Sequence, residues 1–132
     1  MNATLKGTFG IKATPLSADT STDEIGAGRM RFDKTFHGDL EGTSVVEMIG
    51  IMDKEKASGA YVALERFSGK LLGREGGFAL QHSSTMHRGT PEQRITVVPD
   101  SATGELQGLS GSMVIDIVEK VHHYTFAVAV SR

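Results

Sequence analysis

The chain has no cysteine, only three prolines and little net charge. Without cysteine there are no disulfides, no thiolate nucleophile and no cysteine-ligated zinc. A formal charge of −2 and a pI of about 6.2 argue against a nucleic-acid binder, which would show a basic stripe. No window approaches the ~18 consecutive apolar residues of a membrane helix. The first seven residues carry no apolar signal core, so neither secretion signal nor membrane span is expected, and the expected location is cytoplasmic. An apolar stripe at helical spacing is also missing; residues 53–57 offer one helical turn at most. Gly76 and Gly77 precede a strand rather than a helix, which excludes a phosphate cradle. Ser83 and Ser84, and Ser110 with Ser112, lack the strand-turn-helix setting of a nucleophile elbow.

What is present is alternation. Leu5, Gly7, Phe9 and Ile11 oppose Lys6, Thr8, Gly10 and Lys12. Met30, Phe32 and Phe36 oppose Arg29, Arg31, Asp33 and His37, and Tyr124, Phe126, Val128 and Val130 oppose His123, Thr125, Ala127 and Ala129. Period two with one apolar face marks strands that cover a core on one side. Eight strands are predicted, near 3–13, 27–37, 43–53, 59–68, 73–87, 93–99, 107–118 and 122–131. At 132 residues they make one domain, spanning 1–132, large enough to bury a core without staples.

The pentapeptide Gly-x-Leu-x-Gly occurs three times, from Gly38, from Gly69 and from Gly104. The copies are separated by about one β-hairpin and its connection, which implies a repeated unit. They fall at alternate connections and so at one end of an antiparallel meander, where glycine allows sharp bends. The other connections differ: 14–26 is long and polar, 54–58 is charged and 88–92 contains Pro91. An even set of one-faced strands has no second layer to cover it. Closing into an eight-stranded antiparallel barrel buries the apolar face and removes both edges. A two-sheet sandwich is the alternative. Eight strands leave an interior that side chains fill or that holds one small ligand.

Two strands are apolar on both faces. Val45, Ile49 and Ile51 oppose Val46, Met48 and Met52; Val62 and Leu64 oppose Tyr61, Ala63 and Phe67. Both faces then need cover. The cover is either another copy of the chain, giving a homodimer or homotrimer, or the 14–26 loop.

Polar residues in phase with the core are the candidates for chemistry. His82 shares a face with Phe78 and Leu80. A turn at Lys70 and Leu71 brings Tyr61 and Glu65 to that side, and Tyr124 alternates inward with Phe126. A turn at Glu55 and Lys56 is read as placing Glu47 near Glu65. Tyr61, Glu65, His82, Tyr124 and Glu47 are therefore the ligand-binding candidates. A buried carboxylate pair beside histidine has shifted proton affinities and suits general acid–base work; the competing reading is a self-satisfied polar network. His82 and His87 face opposite ways, as do His122 and His123. Only long-range pairing would gather His37, His87 and His123 around a metal, so no metal or other cofactor is expected.

Three segments in order resemble a family of small bacterial proteins, domain of unknown function 3224. They are Glu65-Arg66-Phe67-Ser68-Gly69, Gly77-Phe78-Ala79-Leu80-Gln81-His82, and the stretch from Thr103 through Gly104, Glu105, Leu106, Gly108 and Leu109 to Gly111. The resemblance spans essentially the whole chain. It implies a calycin-like barrel similar in fold to plant allene oxide cyclase, and implies no activity. Two functional readings stay open: a barrel that binds a small, mainly apolar ligand inside, or a non-catalytic oligomeric scaffold whose interior is filled. Neither decides whether the chain is an enzyme.

Overall fold

A computed structural model describes residues 1–130. Eight strands follow one another around a closed antiparallel barrel: β1 (Asn2–Leu16), β2 (Gly28–Gly38), β3 (Leu40–Asp53), β4 (Ser58–Leu71), β5 (Arg74–His87), β6 (Thr90–Val97), β7 (Leu109–Val118) and β8 (Val121–Val130). β1 pairs with β8 to close it, Leu5 opposite Phe126. Residue 131, where the expected last strand ends, lies outside the described residues.

The alternation set the faces correctly. Leu5, Phe9, Phe36, Phe67, Phe78, Leu80, Phe126 and Val128 all point inward and are buried. The three pentapeptides lie together at one end. Gly42 pairs with Gly69 and Leu40 with Leu71, the Leu72 amide donates to the Asp39 carbonyl, and the Glu105 carboxylate accepts from the Glu75 amide. Their central residues Leu40, Leu71 and Leu106 are all fully buried and plug that end. Gly69 shows why glycine is needed: a β-carbon there would run into the Glu41 carbonyl and lie 2.7 Å from the Gly42 α-carbon.

Three local expectations need correction. Strand β1 runs on to Leu16, and the polar loop after it holds a short helix, α1 (Thr20–Glu24), capped by the Asp19 carboxylate accepting from the Thr22 amide at 2.8 Å. Side-chain capping, not an apolar stripe, starts this helix, so a periodicity search passes over it. The third pentapeptide, expected only as a bend between strands, forms a 3-10 turn at Gly104–Leu106. Pro91 is the second residue of β6 rather than part of a connection, at a strand start where its missing N–H costs least. The β6 and β7 ladder has only two partner pairs, Ile95 with Met113 and Thr96 with Ser112. The Gln93 side chain spans this short seam by accepting from the Ile115 amide at 2.9 Å.

Candidate functional site

The barrel is plugged at the leucine end and hollow at the other. A mouth of about 580 Å3 opens there, lined by Gly28, Met30, Met48, Met52, Tyr61 and Met86 among others. Beneath it lies a chamber of about 240 Å3, walled by Phe9, Phe32, Val46, Ala63 and Ile115, with Lys34, Tyr61, His82 and His122 as its ionisable side chains. Met48 and Tyr61 line both spaces. Methionine at the rim gives a soft wall that adapts to differently shaped apolar groups.

The chamber rests on a belt of polar residues from four neighbouring strands. Register produces it: Lys34 on β2 faces Ser44 on β3, Val46 faces Glu65 on β4, and Ala63 faces His82 on β5. Lys34 donates to Glu65 Oε1 at 3.1 Å, His82 Nε2 meets the same oxygen at 2.7 Å, and the Ser44 hydroxyl donates to Oε2 at 2.6 Å. Both charged partners are desolvated, with side-chain exposures of 5% for Lys34 and 0% for Glu65. The Lys34 ammonium also sits 4.5 Å from the Phe9 ring centroid, a cation–π contact. Burial by itself raises the Glu65 proton affinity. The His82 hydrogen bond, the Lys34 charge and the Ser44 hydroxyl outweigh it and hold the carboxyl below its ordinary value. Glu65 is therefore a carboxylate, which only accepts, so His82 Nε2 carries a hydrogen.

A pH dependence follows. The folded Glu65 value lies below the unfolded one, near 4.5. Its stabilising contribution is complete above that pH and is lost as pH falls through the lower folded value. Melting curves from pH 7 down to pH 2 should show acid destabilisation that is shallower in Glu65→Gln. Identical acid slopes would mean that Glu65 is not held ionised by the belt.

The five sequence candidates separate. Tyr61, Glu65, His82 and Tyr124 all face inward, but only the first three belong to the hollow end. Tyr124 is buried towards the plugged end, where its hydroxyl accepts from the Leu40 amide at 2.8 Å and donates to the His37 carbonyl at 3.0 Å. Burial pushes its proton affinity up, so it stays a neutral hydroxyl that locks the first pentapeptide turn. Glu47 is a correction. It pairs with Leu64 on the outer face, its side chain is 65% exposed, and it bonds Arg29 at 3.1 Å. The expected turn is the one observed, but it sets Val46, not Glu47, opposite Glu65, and a one-residue slip reverses the face. The histidine set His37, His87 and His123 is not brought together: His37 and His123 flank Thr8, while His87 lies on β5.

Lys34, Ser44 and His122 escaped the sequence reading. All three are in phase with the core: Lys34 between Phe32 and Phe36, Ser44 two before Val46, His122 two before Tyr124. A charge inside an apolar alternation was the available signal. His122 packs tilted against Phe9, with ring centroids 5.0 Å apart.

Residues 5–128 match the family described as protein of unknown function (DUF3224). The chain belongs to that family. Its fold is also that of a crystal structure of a DUF3224 family protein with unknown function from Shewanella oneidensis MR-1, 41% identical over 100% of both chains with a TM-score of 0.90. No curated protein matches the chain. The family membership thus fixes the architecture around the polar belt and leaves its chemistry to be argued from the side chains.

Proposed function

We propose that this DUF3224 protein is a small-molecule-binding barrel of the calycin-like type, a cytoplasmic bacterial protein that takes a small, mainly apolar ligand through its open end. One observation carries the reading. The interior is close-packed only around Leu40, Leu71, Leu106 and the Phe67, Phe78 and Phe126 rings, and gives way to the chamber and mouth above Lys34 and His82. An apolar, concave, one-ended space with a few converging polar groups is the usual form of a ligand site. A simply filled scaffold would carry core packing to both ends.

The test is direct binding of N-phenyl-1-naphthylamine, a neutral apolar fluorophore. We expect saturable binding at one site per chain. Gly28 lines the mouth, and a β-carbon there meets nothing within 4 Å, so Gly28→Phe blocks the entrance without straining the barrel. It should weaken binding at least ~10-fold, about 1.4 kcal/mol, at unchanged Tm. No saturable binding, or equal binding to Gly28→Phe, would reject the interior site.

A second reading, self-association, is favoured by a separate observation. Val45, Val62 and Leu64 are 41%, 54% and 63% exposed on the outer face of β3 and β4, and α1 packs against β2. Adjacent exposed aliphatics on two mid-sheet strands suit face-to-face packing of a second copy. Light scattering at high concentration should report a dimer or trimer, and Leu64→Glu should return it to a 14.1 kDa monomer. A monomeric wild-type chain would refute the assembly and leave the ligand site untouched.

A further inference from the structure

We infer that the chamber is a proton-transfer site for apolar carbonyl compounds, with His82 as general base and Lys34 as the donor to the carbonyl oxygen. The inference rests on the interior binding site proposed above and deepens it.

Hydrogen-bond accounting leads there. Glu65 spends Oε1 on Lys34 and His82 and Oε2 on Ser44, and it does not line the chamber. Lys34 and His82 do line it. The ammonium gives one of its three N–H groups to Glu65 and lies over the Phe9 ring, which leaves at least one donor for a ligand. With Nε2–H turned to Glu65, a neutral His82 ring carries its lone pair on Nδ1. A donor and a base are thus held beside one another because both contact the same carboxylate oxygen.

Charge selects the ligand class. Lys34 and Glu65 cancel, and the remaining wall is largely Phe9, Phe32, Val46, Ala63 and Ile115. A carboxylate ligand would bring a further negative charge close to the Glu65 carboxylate, which already engages the Lys34 ammonium, and that is unfavourable in such surroundings. A neutral carbonyl oxygen needs only a donor, which Lys34 offers. The methionine rim takes the apolar remainder.

The step balances without any further reagent. The proton on the carbon next to the carbonyl passes to His82 Nδ1. The C–H electron pair becomes the carbon–carbon double bond, and the carbonyl π pair moves to oxygen, where a Lys34 N–H stabilises the enolate. The imidazolium then returns its proton to the enolate, at oxygen to give the enol or at carbon to give back the carbonyl compound, so the site interconverts keto and enol forms. Glu65 is the positioning residue: it fixes the ring tautomer and stabilises the imidazolium as it forms.

The assay follows ketonisation of 2,4-octanedione in water by loss of the enol ultraviolet absorbance. The wild-type chain should exceed the same concentration of free imidazole. His82→Gln should lower kcat ~100-fold or more, the usual size of a general-base contribution. Lys34→Met should lower it ~100-fold by removing the oxyanion donor. Glu65→Gln should lower kcat, counted per folded chain by titrating the fluorophore site, and shift the pH–rate profile, which loss of folded protein alone would not do. Should His82→Gln not fold, Gly28→Phe serves instead, because catalysis inside the chamber must fall when the mouth is blocked. A wild-type rate no better than imidazole, or a folded His82→Gln or Gly28→Phe that keeps the full rate, would overturn the inference. Fluorophore binding without acceleration sinks the proton transfer and leaves the binding site standing; absence of both sinks the two together.

Discussion

Glu65→Ala is expected to destabilise the barrel by about 3–5 kcal/mol, the cost of leaving a buried charge without its partner. Lys34 is only 5% exposed and has no other carboxylate within ion-pair distance among the described residues. Removing Glu65 strands that ammonium, orphans the Ser44 hydroxyl and frees His82 Nε2. The ion pair is not itself a large net stabiliser, because desolvating both groups offsets most of their attraction. The double variant Lys34→Met/Glu65→Leu should therefore recover much of the loss. Urea unfolding of the two single variants and the double variant forms the cycle that separates the pair from its surroundings. A Glu65→Ala loss below ~1 kcal/mol would mean that water reaches the belt. Recovery in the double variant with loss of ligand binding would identify the belt as retained for function rather than for stability.

Gly7→Ala should be nearly as damaging, by about 2–5 kcal/mol from overpacking together with broken buried hydrogen bonds. Gly7 sits opposite Gly38 on one side and Tyr124 on the other. A β-carbon there would run into the His37 carbonyl and the Tyr124 hydroxyl. The carbonyl belongs to the backbone and cannot rotate away. The hydroxyl would have to leave the Leu40 amide and the His37 carbonyl that it joins. Tyr124→Phe removes only those bonds, so it should cost less, and Gly7→Ala in a Tyr124→Phe background should cost less than Gly7→Ala alone. If the two losses simply add, the hydroxyl is not what the methyl group displaces, and the clash with the β2 backbone explains the effect by itself.

How the site was legible turns on particular residues. Glu65 and His82 were found by parity, since each is in phase with bulky core neighbours on its own strand. Glu47 failed by the same parity, applied one residue off. Lys34 and Ser44 were equally in phase with the core, yet an amphipathic pattern read for its apolar members passes over the polar ones that complete it. Tyr124 was placed on the right face, but nothing in the sequence told which end of the barrel it occupies. Face is a local property with period two, whereas height along the barrel depends on strand tilt and stagger.

By itself the sequence determined the meander of amphipathic strands, the gathering of the three pentapeptides at one end, and the inward face of most candidate residues. These follow from backbone geometry: alternate residues point to opposite faces, and glycine permits the close approaches at the bends. Only the tertiary structure decided which polar residues meet. Lys34, Ser44, Glu65 and His82 come from four different strands, and their contact exists because pairing register sets them side by side around a closed wall. It also decided that the barrel is plugged at one end and hollow at the other, since that depends on how side-chain volumes from all eight strands fill a common interior.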